Sequence, residues 1–150
     1  MAAVIGLLRN PSEPLAPPPS PAPGLAGLAA LLGNFAAAGL RVDHQQHGEA
    51  RDLPQVTDLT AYRIVQESLT NAHKYGEGTA KVTVVYSPQG VAIEVSNPVR
   101  SGTNFANSGY GIIGMRERVS VAGGSLLADL TPGAGFMVRA DLPTPDGPAI

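Results

Sequence analysis

The sequence predicts an α+β fold, a two-layer sandwich in which a mixed, mostly antiparallel sheet carries helices on one face. Three observations carry this. A long segment over residues 56–75 repeats its apolar positions every three or four residues, with Leu59, Tyr62, Val65, Leu69 and Ala72 on one line. Two pairs of β-branched or alternating runs, 81–86 with 91–96 and 124–130 with 135–142, each flank a short turn and read as hairpins. Adjacent hairpins make antiparallel ladders, and helices interleaved with them must bury their apolar faces on one side of the sheet.

Taken in order, the chain changes character once. Between Pro11 and Pro23 stand seven prolines with no apolar period, a proline-rich linker. The folded unit is expected over 24–143, with residues 1–23 as lead-in and 144–150 as a disordered tail. Residues 25–38 are rich in Ala and Leu and close on Gly39, a helix with a glycine stop. A short strand follows over 40–45. The long helix ends before Gly76 and Gly78. Ser87-Pro-Gln-Gly90 and Thr131-Pro-Gly133 supply the hairpin turns, residues 98–111 read as a polar loop, and residues 112–121 as a second amphipathic helix.

Composition narrows the function. The chain has 150 residues, 43% apolar and 15% charged, and a net charge of −2, so it is globular in the main and lacks the basic excess of a nucleic-acid binder. With no cysteine, disulfide scaffolds, thiolate metal sites and cysteine nucleophiles are excluded. No apolar run approaches the length of a membrane span, and the first residues lack the basic start of a signal peptide, so a cytoplasmic location is expected.

Two segments carry chemistry. On the long helix Arg63, Glu67, Asn71 and Lys74 form one polar stripe opposite the apolar line. The plain reading is a solvated face. Against it, Asn is a poor mid-helix residue, and a neutral oxygen ligand beside a carboxylate and cations is what a Mg²⁺-nucleotide site uses. Further on, Gly109-Tyr-Gly111-Ile-Ile-Gly114 matches a dinucleotide-binding spacing, but no buried strand precedes it and a hairpin follows it, so a Rossmann unit is not indicated. Its glycines would still let backbone amides approach a phosphate at a helix N-terminus.

Together these segments resemble the ATP-binding catalytic domain of two-component sensor histidine kinases, most closely the nitrate-sensor and DesK-like subgroup. The motifs are Tyr62-Arg-Ile-Val-Gln-Glu-Ser-Leu-Thr-Asn-Ala-His-Lys74 and, 35 residues later, Gly109-Tyr-Gly-Ile-Ile-Gly-Met-Arg-Glu-Arg-Val119; the closing Gly133-to-Pro143 segment also fits. The resemblance implies a Bergerat-type sandwich that binds ATP and Mg²⁺. It implies that Asn71 holds Mg²⁺, that Glu67 is the catalytic base, that Lys74 lies near the phosphates, and that Gly109, Gly111 and Gly114 close a lid spanning about 100–108. Implied partners are a phosphoacceptor dimerisation domain and a response regulator.

Three departures stand out. The family's adenine-binding Asp is Asn97, in Val95-Ser-Asn-Pro98, with both neighbouring glycines gone. The histidine that often ends the first motif is Tyr75. None of His44, His47 and His73 sits in a phosphoacceptor setting, and residues 4–9 resemble the end of a dimerisation helix, as in a catalytic domain shortened from a longer kinase. A degenerate docking module and an anti-sigma-factor-type serine kinase are the alternative readings.

Overall fold

The computed structural model describes residues 23–100 and 109–144. The expected lead-in over 1–23 except Pro23, most of the expected lid, and the expected tail over 144–150 except Thr144 lie outside them. A 3₁₀ turn, Leu25–Gly27, leads into α1, Leu28–Ala37; then come β1, Arg41–His47, and α2, Gln55–Tyr75. A hairpin of β2, Thr79–Ser87, and β3, Gly90–Pro98, is followed by α3, Gly109–Val121, and a second hairpin of β4, Ser125–Thr131, and β5, Gly135–Pro143. Among the described residues no helix is long and apolar enough to cross a membrane.

The five strands form one sheet in the order β1-β2-β3-β5-β4. Only the β1–β2 pair is parallel. This follows from the connections: tight turns join the hairpins, whereas β1 reaches β2 through the crossover helix α2. The fold class is therefore the expected one, α+β with a mixed, mostly antiparallel sheet.

Strand alternation builds the core. Val82, Val84, Ile93, Val95, Val138 and Ala140 are fully buried on one face, and the ladder places Val82 beside Val95 and Val95 beside Val138. α2 lies across β2, β3 and β5 on that face. The opposite face carries Lys81, Glu94, Arg139 and Asp141. There Arg139 reaches Glu94 at 3.5 Å and Asp141 at 3.3 Å, exposed pairs that add little stability.

Local chemistry sets the ends of the elements. After α1, Gly39 takes φ +100, its amide donates to Ala36 O at 3.0 Å, and the Leu40 amide reaches back to Phe35 O at 2.9 Å. That double bond is a Schellman cap, and it turns Leu40 into full burial.

Three details differ from the sequence reading. β1 runs on to His47, so that histidine ends a strand instead of sitting in a loop. α3 begins at Gly109, three residues before the expected start; packing of Ile112 and Met115 against the core outweighs the low helix propensity of Gly109 and Gly111. The buried face of α2 is also rotated. Ala61, Ile64 and Ser68 join Val65, Leu69 and Ala72 in the core, while Leu59 and Tyr62 are only half-buried. Buried hydroxyls make this affordable, because Thr60 Oγ1 donates to Val56 O at 2.6 Å and Ser68 Oγ meets Met115 Sδ at 3.8 Å.

Replacing Ile93 by Ala opens a cavity under α2 and is expected to lower unfolding free energy by about 2–5 kcal/mol. Leu127, 53% exposed on the solvated face, should tolerate Ala within about 0.5 kcal/mol. Urea denaturation of both variants checks the contrast.

Candidate functional site

α2 carries the first half of the site. Its buried stripe is pinned to the sheet, which turns the next stripe toward the helix flank. Glu67 and Asn71, one turn apart, are both half-buried. This is not the surface of a solvated helix. Arg63, one turn earlier, is half-buried and donates to Gln66 Oε1 at 2.8 Å. Lys74 is exposed in the last turn, where a cation also suits the negative end of the helix dipole. His73, next to it, is exposed with Nε2 3.1 Å from Ala38 O, a tie between α2 and the end of α1.

The second half lies at the end of β3. Asn97 is buried at 8% exposure, on the helix-facing side of the strand. Its Nδ2 donates to the Pro98 carbonyl at 2.8 Å. Its Oδ1 accepts no hydrogen bond among the described residues, yet no buried side-chain oxygen is left unsatisfied there, so Oδ1 is the solvent-reached end of a buried amide. An open acceptor of this kind suits an exocyclic amino group.

A backbone splice joins the halves. Gly76, just past α2, pairs with Val99, just past β3. The Arg100 amide donates to Tyr75 O at 3.0 Å and its Nη2 to Gly76 O at 3.1 Å. From the other side, the Val99 amide donates to Ala134 O at 2.8 Å. Ala134 holds φ +64, a left-handed conformation unusual for a residue with a side chain, and its carbonyl is committed to this bond. Pro98 is thus the last residue of a paired strand, not the first of a free turn.

α3 supplies the third element. Met115 and Val119 are fully buried, and Met115 meets Ser68 of α2 one residue after Glu67. Gly109 and Gly111 fall in the first turn of α3, where backbone amides have no intrahelical partner. Gly114 is half-buried one turn further on, where a Cβ would come into van der Waals contact with Arg118 Nη1 at 3.7 Å. The expected lid, apart from Arg100, lies outside the described residues.

Among the described residues, the titratable groups with displaced pKa values, Tyr86 and Arg139, sit elsewhere. Burial, with Asp58 nearby, pushes the Tyr86 hydroxyl up. Tyr86 pairs with Val91 at the end of the sheet opposite Asn97. Sequence reasoning missed the splice. Gly76 and Arg100 carry its only visible signal, a helix-stop glycine and a cation after the strand.

With this geometry in view, similarity to known proteins is informative. No protein-family model matches the chain. It is 27% identical over 112 residues to the oxygen sensor histidine kinase NreB of Staphylococcus carnosus, covering 72% of this chain and 32% of that protein. It is 29% identical over 125 residues to the sensor histidine kinase YxjM of Bacillus subtilis, covering 79% and 30%. The chain thus spans about a third of the length of the curated relatives it matches. Among solved structures, the blue-light activated histidine kinase of Erythrobacter litoralis superposes with a TM-score of 0.62 at 22% identity, over 81% of this chain and 42% of that one. The histidine kinase AdeS of Acinetobacter baumannii gives 0.62 at 11% identity, over 81% and 64%. The sequence is similar to sensor histidine kinases, and the fold is that of their catalytic domains.

Removing the guanidinium of Arg100 by substitution with Ala is expected to cost about 0.5–1.5 kcal/mol, the net worth of one hydrogen bond. Hydrogen exchange should quicken at Val99 and Arg100 while the amides of β2 keep their protection.

Proposed function

We propose that this chain is the nucleotide-binding catalytic domain of a sensor histidine kinase, which binds Mg·ATP and donates its γ-phosphoryl group to a histidine on a dimerisation domain, for relay to a response regulator. The observation that carries the reading is the splice. It ties the end of α2, the helix that carries Glu67 and Asn71, to the end of β3, where Asn97 is buried, which supports reading the two as halves of one site.

The donor set fits the ligands. Asn71 offers a neutral oxygen to a hard cation that keeps most of its other ligands from water and phosphate, as Mg²⁺ does. When bound, Mg²⁺ neutralises charge on the phosphates being transferred. In this reading Glu67, a turn away and half-buried, takes a proton from the attacking nucleophile. Lys74, exposed at the helix end, lends positive charge to the phosphate side. Gly109 and Gly111 lack side chains in the first turn of α3, so backbone amides there can approach phosphate oxygens, with Gly114 extending that glycine face. Asn97 offers its oxygen to the adenine amino group. Partners in this reading are the phosphoacceptor domain and the regulator; nucleic acid and a membrane segment have no part in it, and its setting is the cytoplasm.

Calorimetric titration with a non-hydrolysable ATP analogue tests this. The chain should bind at micromolar to sub-millimolar strength, about 5–8 kcal/mol, and more tightly with Mg²⁺. Asn71→Asp should alter or remove the Mg²⁺ dependence by about tenfold or more. Glu67→Gln should leave binding near the parent level while stopping phosphoryl transfer to a supplied dimerisation domain. Absence of nucleotide binding in the unaltered chain would favour a docking module instead.

A further inference from the structure

An asparagine where a nucleobase is read poses a problem that an aspartate does not. A carboxylate accepts hydrogen bonds however it turns. An amide accepts at one end and donates at the other, and half a turn exchanges the two. With Oδ1 forward it matches an amino group, as on adenine; with Nδ2 forward it matches a keto oxygen, as on guanine. Something must hold the amide for the site to choose.

The surroundings of Asn97 do hold it. The Pro98 carbonyl lies 2.8 Å from Nδ2. A carbonyl can only accept, so a reversed amide would set two oxygens against each other with no hydrogen between them. The space Nδ2 occupies exists because residue 76 has no side chain. A Cβ there would stand 2.8 Å from Asn97 Nδ2, 2.5 Å from Ala72 O and 3.0 Å from Pro98 O. Gly76 has φ −94 and ψ −168, an extended conformation open to any residue. Space, not backbone conformation, requires the glycine. The Gly76–Val99 bridge and the two Arg100 bonds keep this wall in place.

Building on the ATP-binding reading above, we infer that Gly76 and the Pro98 carbonyl lock the Asn97 amide with its oxygen outward, which makes Gly76 a positioning residue that selects bases bearing an amino group over bases bearing a keto group.

The test compares non-hydrolysable ATP and GTP analogues by calorimetry, with Mg²⁺ present, on the unaltered chain, Gly76→Ala, Asn97→Asp and the double variant. The unaltered chain should prefer the ATP analogue by about tenfold or more, the scale of one mismatched hydrogen bond. Gly76→Ala should bring that preference to within about threefold, with melting temperature and circular dichroism checking the fold. In the Asn97→Asp background Gly76→Ala should change the preference little, because a carboxylate needs no lock. Equal binding of both analogues by the unaltered chain would overturn the lock while leaving nucleotide binding intact; binding of neither would overturn the ATP-binding reading itself. An undiminished preference in a folded Gly76→Ala protein would also overturn the lock. If Gly76→Ala does not fold, side-chain amide exchange by NMR decides on the unaltered chain: Asn97 protons should exchange far more slowly than those of exposed Asn34, and equal rates would sink the proposal.

Discussion

The carbonyls of Tyr75, the last residue of α2, and of Gly76, its cap, have no intrahelical donor. Both are satisfied from one residue, Arg100, which gives its amide to one and its guanidinium to the other. The cap of the long helix is therefore also the joint between that helix and the end of β3. Everything in the candidate site depends on this joint. Asn71 sits just over one turn before the cap, and Asn97 three residues before Arg100, so neither can shift without loosening a bond that satisfies the helix end. Ala134 reinforces the joint from the β4–β5 turn by holding a strained conformation that presents its carbonyl to Val99.

Much of this fold was legible in the sequence because period reports burial. The β2, β3 and β5 runs alternate cleanly, and their inward residues are the core. Glu67 and Asn71 were legible as a pair because four residues on a helix return to one face. Three features were not. The true buried line of α2 includes Thr57, Thr60 and Ser68, which a hydropathy pattern discards, and the structure tolerates them because Thr60 bonds its own helix and Ser68 meets a sulfur. The first turn of α3 was hidden by glycines that propensity reads as loop. The splice was hidden because it consists of backbone bonds between segments twenty or more residues apart, and sequence shows Gly76 only as a helix stop. Asn97 was found by its place in a motif, and nothing in its own neighbours announced how it would be oriented.

The substitution of Asn for Asp at this position looks at first like decay. The proposed function gives it another reading. At 8% exposure, with Nδ2 bonded to Pro98 O, the Asn97 side chain faces a carbonyl oxygen. A carboxylate there meets the partial negative charge of that carbonyl, and among the described residues no donor is bonded to the outer end of the side chain. An amide turns the same carbonyl into a partner. A neutral acceptor forms a weaker bond than a charged one, roughly 0.5–1.5 against 1.5–3 kcal/mol, so under the proposed function the exchange gives up nucleobase affinity for a locally satisfied corner. A degenerate site would lose the acceptor or bury it. Under the proposed function the acceptor is kept, the amide nitrogen behind it is bonded to Pro98 O, and residue 76 leaves room for that nitrogen by lacking a Cβ.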